Sequence, residues 1–389
     1  MDCLLEVYDR EQINNILDVL AFSPKKAVFL YDPRTADAED LRAVETACRL
    51  RLPRLEVEAV PADLGDLNAV YRACKGVVRR NEGCFVDITG GGELGAVGAY
   101  LACKETYSPI FIVDPPRGRL RSIAGCRELE RSFRLPRFTM DVLLAAHGAA
   151  IAGYGHPKPD KSMHQALLSF CERVFDDIPR WKDLCLYLQT GCASFPVEDD
   201  RGRFYAPQEI ASRGRTMRPH LPTLRFAEEL GLIQELRLKR ERLSFRFSCD
   251  AVKKYMTDFG TWLELYCYIS LHDCGAYNDV RLSVKVDWDG ERKSRPEVTN
   301  EIDVTFFRGV HPVFLSCKLA EPAPEALHEL SVYKSYFGGG YSKCILATLS
   351  AIDRENTHIG KRAQEMDIAL IDATDIREGR FLQRVAELF

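Results

Sequence analysis

Between residues 26 and 114 apolar and polar positions alternate between two rhythms. Ala27-Val28-Phe29-Leu30-Tyr31 is a continuous apolar run that stops at Asp32-Pro33, and Leu55-Glu56-Val57-Glu58-Ala59-Val60 alternates. Cys84-Phe85-Val86-Asp87-Ile88 and Ile110-Phe111-Ile112-Val113 are apolar again. Between these runs, Leu41, Val44, Ala47 and Cys48, then Leu67, Val70, Tyr71 and Cys74, recur at helical spacing. Apolar strands separated by amphipathic helices predict a parallel, doubly wound α/β sheet, with any ligand at the carboxyl ends of its strands. Pro157 and Pro159 mark a linker. Beyond it, Phe226-Ala-Glu-Glu-Leu-Gly231 reads as a helix end with a glycine stop, and Leu236 to Phe247 alternates basic and apolar residues as a hairpin does. Helix followed by hairpin gives a winged-helix-like shape, and a connector that borrows this shape is the preferred reading. The last stretch predicts a helix over 260–271, a hairpin over 300–318, a helix over 325–336, and strands at 344–348 and 368–372. The expected division is 1–150, 151–255 and 256–389.

The hairpin concentrates polar chemistry on one face. Asn300-Glu301-Ile302-Asp303-Val304 and Phe314-Leu315-Ser316-Cys317-Lys318 flank Arg308-Gly309-Val310-His311-Pro312. Folding them about a four-residue loop centred on Gly309 and Val310 sets Asp303 opposite Ser316, with Lys318 on the same face. Ile302, Val304, Phe306, Val313, Leu315 and Cys317 fall on the other face, which is entirely apolar. A carboxylate, a hydroxyl and an ammonium on one surface suit a divalent cation held beside a phosphate. The bland alternative is a salt-bridged strand pair.

A second motif, Asp87-Ile88-Thr89-Gly90-Gly91-Gly92-Glu93, closes a strand and opens a helix. Glycines permit a sharp turn and close approach, and the helix that follows offers free N–H groups to a phosphate. Gly90, Gly92 and Gly95 also satisfy G-x-G-x-x-G, with Asp114 at a suitable distance, but the run follows the third predicted strand rather than the first. Tyr31-Asp32-Pro33-Arg34-Thr35 would border the same crevice. A tight turn without a ligand is the bland reading.

Composition narrows the field. With 389 residues, 46% of them hydrophobic, the chain has room for two or three domains. A net charge of -4 and a pI near 6.1 show no global basic field, which leaves local grooves open. The 14 cysteines form no C-x-x-C pair and read as buried, reduced thiols of a cytoplasmic protein. The opening MDCLLEVYDREQ does not read as a signal peptide, and no apolar run is long enough to cross a membrane.

The D-x-T-G-G loop in a Rossmann-like amino-terminal domain resembles the CARF domain, the CRISPR-associated Rossmann fold that senses cyclic oligoadenylates. This implies ligand contacts from Tyr31, Asp32, Asp87, Thr89, Gly90, Gly91, Gly92 and Glu93. The family often carries Thr and Lys after the glycines, where this chain has Gly92 and Glu93. The hairpin resembles the core of PD-(D/E)xK nucleases. Asp303 matches the first acid and Lys318 the lysine, while Ser316 stands where an acid is usual. The resemblance implies Glu264, on the preceding helix, as a further acid, with Glu301 a less favoured substitute. Asp303, Glu264 and the backbone carbonyl of Cys317 would then ligate Mg2+ or Mn2+, with Lys318 orienting the attacking water. Glu329, Tyr333 and Lys334 would flank the substrate groove.

From end to end the chain resembles the CRISPR-associated ancillary nucleases of the Card/Can type. The family implies a homodimer, activation by cyclic tetra-adenylate, and metal-dependent cutting of DNA or RNA, with dimer rotation as the switch. Two other classes compete: a ligand-gated transcriptional regulator with an inert last domain, and a nicotinamide-dependent enzyme using Gly90 to Gly95. A ring nuclease that destroys its own activator finds no assigned residues.

Overall fold

The computed structural model describes residues 1–196, 202–212, 214–288, 290 and 299–389. The first sheet contains β1 (Cys3–Val7), β2 (Lys26–Tyr31), β3 (Glu56–Pro61), β4 (Cys84–Asp87), β5 (Ile110–Asp114) and β6 (Arg119–Ala124). Their order is β3-β2-β1-β4-β5-β6, parallel except for the last strand. Helices α1 (Gln12–Phe22), α2 (Ala38–Arg49), α3 (Leu67–Arg80) and α4 (Gly92–Thr106) connect the strands. Cys3, Leu5, Val7, Val28, Leu30 and Val86 pack against Val70, Cys74 and Val77 of α3 and Ala99 and Cys103 of α4. Leu4, Ala27 and Phe29 pack on the other face, with Ile13, Ile16 and Leu17 of α1 and Val44 and Ala47 of α2.

The strand reading of 26–114 thus holds, but it missed β1, the central strand, and the edge strand β6. β1 carries Glu6 at its fourth position, which broke the apolar run. Because β1 precedes β2 in the chain yet lies beside β4, the sheet reverses its winding between β1 and β4. That is the crevice where ligands of doubly wound sheets sit. The glycine run follows β4, whereas a dinucleotide fingerprint belongs after the first strand; β1 is followed by Tyr8-Asp9-Arg10-Glu11.

After α5 (Arg127–Ser132) and α6 (Met140–Ala146), strand β7 (Ala150–Tyr154) departs from the sequence reading. It adds to the edge of the second large sheet by pairing with β13. The middle region holds α7 (His164–Asp176), α8 (Ile178–Ser194), β8 (Arg203–Pro207), β9 (Ile210–Ser212), β10 (Arg215–Met217), α9 (Leu221–Glu229), β11 (Ile233–Lys239), β12 (Arg242–Phe247) and α10 (Asp250–Met256). The alternating run forms the hairpin β11-β12, which β8 extends to three strands behind α9.

The last region contains α11 (Thr261–Asp273), β13 (Asn278–Asp287), β14 (Thr299–Arg308), β15 (His311–Lys318), α12 (Pro324–Phe337), β16 (Lys343–Thr348), α13 (His358–Glu365) and β17 (Ile368–Ile371). Its sheet runs β17-β16-β15-β14-β13-β7. Two details correct the expected hairpin. Arg308 pairs with His311, so the turn has two residues, Gly309 and Val310, instead of four. And both faces are covered. Val304, Phe306, Leu315 and Cys317 pack with α11, while Phe307 and Phe314 pack with Leu327, Leu330, Tyr333 and Phe337 of α12. That second core is continuous with Leu4, Phe29 and α1 of the first sheet, so the two sheets share buried apolar contact. All 14 cysteines are unpaired, most of them buried, and no helix among the described residues is long and apolar enough to cross a membrane.

Candidate functional site

The polar end of the β14-β15 hairpin is organised by backbone geometry. The antiparallel ladder runs as far as Val304 opposite Leu315, and the next pair would be Asp303 and Ser316. There the Asp303 side chain takes over: its Oδ2 accepts the Cys317 N–H at 2.6 Å and the Ser316 hydroxyl at 3.3 Å. Lys318 Nζ lies 3.8 Å from the same oxygen. Burial pushes the Asp303 carboxyl up, with the Lys318 charge and these two hydrogen bonds opposing it. The Cys317 side chain turns into the core, 3.9 Å from Cys267 Sγ, leaving only its backbone to the site.

Glu264, in the first turn of α11, joins this group. Its Oε2 accepts the Ser283 hydroxyl from β13 at 3.1 Å. Burial holds its carboxyl well above the usual range, and the Asp303 charge is the next cause. Glu301 lies against Gly155 and 3.9 Å from Lys285 Nζ, and its charge also reaches Glu264. On the opposite side Glu329 of α12 accepts the Tyr333 hydroxyl at 2.8 Å, and its charge reaches Asp303. Lys334 is drawn away to Asp367, 2.7 Å distant. Among the described residues no trio of carboxylate, imidazole or thiol ligand atoms within 4.8 Å includes Asp303 or Glu264. The acids therefore converge from α11, β14 and α12 without forming a closed cage. Two carboxylates, each pushed up by burial and Glu264 further by the charge of Asp303, are a donor set that a hard divalent cation suits.

The glycine loop is the second candidate site. Gly91, the residue before α4, has φ +78, and a Cβ there would overlap Val7, so glycine is required twice over. Its N–H donates to Asp9 Oδ2 at 3.2 Å. Gly90 packs as closely, with an added Cβ only 2.7 Å from Asp9 Cβ and the Val7 carbonyl. Gly92 faces open space, and Glu93 is exposed in the first turn of α4. The other sequence candidates act from below or beside the loop. Thr89 donates its hydroxyl to Asp87 Oδ1 at 2.6 Å and accepts the Val113 N–H at 2.8 Å. Asp87 is buried beneath the loop. Asp32 is buried too, and it holds Arg34 through Nε at 3.0 Å and Nη2 at 2.7 Å. The Arg34 guanidinium holds the Asp32 carboxyl well below the usual carboxylate range. Tyr31, half-buried, ends β2 above Asp32.

Sequence reading missed the group under this loop. Glu6 of β1, Asp18 of α1 and Asp87 bring ligand oxygens within 4.8 Å of one another, all three buried. Both Asp18 oxygens, Glu6 Oε1 and Asp87 Oδ2 have no hydrogen-bond partner. Burial pushes all three carboxyls up, and for Glu6 and Asp18 the charge of Asp87 is the second cause. The signal was present: an acid inside an otherwise apolar strand, and another on the buried side of an amphipathic helix.

The chain thus joins a doubly wound sheet, with a glycine loop at its crevice, to a sheet whose hairpin brings acids towards a lysine. Residues 249–386 match the family of Card1-like endonuclease domains. No curated protein matches the sequence. Among solved structures, protein VC1899 from Vibrio cholerae superposes with a TM-score of 0.75 at 17% identity, over 99% of this chain and 97% of that one. Can2 from Sulfobacillus thermosulfidooxidans, solved with cyclic tetra-adenylate, gives 0.67 at 16% identity, over 99% of both chains. A type III CRISPR defence DNA nuclease activated by cyclic oligoadenylate gives 0.51 at 17% identity, over 90% of this chain and 45% of that one. The fold over nearly the whole chain is thus that of VC1899 and Can2, and its carboxy-terminal end matches the Card1-like endonuclease domain, in line with the family that the sequence motifs suggest.

Proposed function

We propose that this protein is a metal-dependent endonuclease of DNA or RNA, switched on by a cyclic oligoadenylate in CRISPR-linked antiviral defence. The observation that carries the reading is the approach of Asp303, Ser316 and Lys318 on one hairpin, with Glu264 behind them, inside a stretch matching an endonuclease family. Cyclic tetra-adenylate is the first candidate activator, because the similar Can2 structure holds it. The sensor is assigned to residues 1–150, the connector to 151–255 and the nuclease domain to 256–389, with β7 lent to the last sheet.

Asp303, Glu264 and the Cys317 carbonyl would hold Mg2+ or Mn2+. Such an ion supplies an acidified water and neutralises charge on the leaving oxygen. The chain's own groups do the rest. The Cys317 N–H and the Ser316 hydroxyl fix one Asp303 oxygen, which sets the direction of the other. Lys318, partly exposed, orients the attacking water and offsets the charge of the scissile phosphate. Glu329 borders the approach from α12, held by the hydroxyl of the buried Tyr333.

At the sensor, Gly91, Gly92 and the first turn of α4 offer N–H groups to phosphate, Tyr31 borders the crevice, and Asp32, Asp87 and Thr89 hold its walls. A homodimer is supported by the exposed apolar stripe of Leu94, Val97 and Leu101, with Tyr100 beside it, on the helix that leaves the glycine loop. The test is incubation with plasmid and with labelled single strands, in Mn2+, with and without cyclic tetra-adenylate, beside Lys318→Ala. Cutting that needs both nucleotide and Lys318 is expected. Cutting that survives Lys318→Ala unchanged would sink the assignment.

A further inference from the structure

The glycine loop and the nuclease hairpin meet through one short segment, the turn from β1 into α1. Asp9 bridges the loop and that turn. Its Oδ2 accepts the Gly91 N–H at 3.2 Å and its Oδ1 accepts the Glu11 N–H at 2.8 Å. Its own N–H donates to Asn15 Oδ1 at 2.8 Å, and Asn15 Nδ2 returns to the Asp9 carbonyl at 2.8 Å. With Gly90 and Gly91 packed directly on Val7 and Asp9, the loop and the turn have no slack between them.

The far side of the turn rests on the other sheet. The Glu11 carboxylate occupies the space a Cβ on Gly339 would need, and the neighbouring Gly340 backbone favours its charged form against the effect of burial. Asn14 Oδ1 accepts the Tyr341 hydroxyl at 2.9 Å. The Tyr341 carbonyl in turn accepts His311 Nδ1 at 2.7 Å, and His311 opens β15, the strand that ends in Ser316 and Lys318. The same glycine segment closes α12, which carries Glu329: Ser342 Oγ donates to the Lys334 carbonyl at 3.2 Å.

We propose that the Asp9–Asn15 turn relays occupancy of the glycine loop to the nuclease hairpin within one protomer, gripping it through Glu11 on Gly339-Gly340 and through Asn14 on Tyr341. The proposal rests on the sensor–nuclease reading above and names its regulation. The chemistry supplies the differential binding that coupling requires. Without ligand, the Asp9 carboxylate takes the Gly91 N–H at the start of α4. A phosphate arriving there competes for that donor and repels that carboxylate. Release of Asp9 loosens the Glu11 and Asn15 bonds it holds, and so shifts the two grips on the 338–341 segment. The signal need not pass through the dimer.

The test uses the full-length protein and its variants Tyr341→Phe and Glu11→Gln, each with cleavage measured with and without saturating cyclic tetra-adenylate and with nucleotide affinity measured separately. The expected result is an unchanged basal rate, near-unchanged affinity, and a stimulated rate at least about fivefold lower in each variant, within the range of allosteric couplings. Asp9→Asn, which removes the repulsion, is expected to bind the nucleotide more tightly. Full stimulation in both variants overturns the relay. A parent protein that cuts equally with and without nucleotide overturns the relay and the gating together, but leaves the nuclease reading standing. If the parent cuts nothing, the nuclease reading fails first, and amide exchange decides the relay. Protection of 338–342 that changes on adding cyclic tetra-adenylate, and no longer changes in Tyr341→Phe, supports it. Protection indifferent to the nucleotide overturns it.

Discussion

Ser316 stands where the PD-(D/E)xK pattern carries an acid, and its hydroxyl serves Asp303. A single hydrogen bond of 3.3 Å is a modest contribution. Ser316→Ala should therefore slow cleavage by no more than about fivefold, the worth of roughly 1 kcal/mol. Asp303→Asn removes a proposed ligand charge and should cost about a hundredfold or more, with the melting temperature held or raised because a buried charge is gone. A fluorescent cleavage assay beside a thermal melt separates these outcomes. Both Glu264 and Asp303 are pushed up, so protons compete with the cation for the site. The Mn2+ concentration for half-maximal cutting should fall as pH rises. A flat dependence would speak against carboxylate ligation. At the other site, Gly91→Ala forces a side chain into left-handed backbone and onto Val7. It should destabilise the protein by ~1–3 kcal/mol and weaken nucleotide binding, read by melting and by titration calorimetry.

Among secondary elements, β1, α1 and β4 carry an electrostatic burden in common. Glu6, Asp18 and Asp87 have carboxyls raised above their unfolded values, so the folded state holds protons that the unfolded chain releases. Their contribution to stability is then fully present below the ordinary carboxylate range, near pH 4, and is lost as pH rises through the raised values. Asp18→Asn removes a charge whose two oxygens have no hydrogen-bond partner. It should raise the melting temperature at pH 8, by about 1 kcal/mol of stability or more, and flatten the loss of stability between pH 5 and 8. An unchanged pH slope would show that the cluster does not titrate together. The β14-β15 hairpin is constrained differently. With Val304 and Leu315 in one core and Phe307 and Phe314 in the other, it cannot slip by one residue without burying Asp303 in α11 packing, so its register is fixed by both layers.

At the scale of the whole molecule, the exposed stripe on α4 lies beside the loop it follows. Leu94→Asp with Leu101→Asp should yield a monomer in light scattering, since both residues are exposed on a single chain and their loss costs the isolated fold little. A dimer of unchanged mass would place the interface elsewhere. The core that joins the two large sheets makes independent movement of either sheet costly. Small segments at their contact, such as 338–341, are therefore the natural place for a signal to cross.

What the chain declared by itself was local. Asp303, Ser316 and Lys318 lie within one hairpin, so alternation alone was enough to bring them to one face, and the glycines after β4 announced a tight turn into a helix. Strands with uninterrupted apolar runs, such as β2 and β5, were legible because both faces are largely buried. β1 was hidden by Glu6, which interrupts its apolar run. β7, Ala-Ile-Ala-Gly-Tyr, was hidden by its glycine and by a partner strand far along the chain, with Tyr154 beside Val284. Only the tertiary structure decided that Glu6, Asp18 and Asp87 share one pocket, that Glu264 and Glu329 reach Asp303 from separate helices, and that Glu11 and Asn14 touch Gly339 to Tyr341. Periodicity reports which face a residue occupies on its own element; which elements face one another is set by packing over long loops, and no spacing in the chain records it.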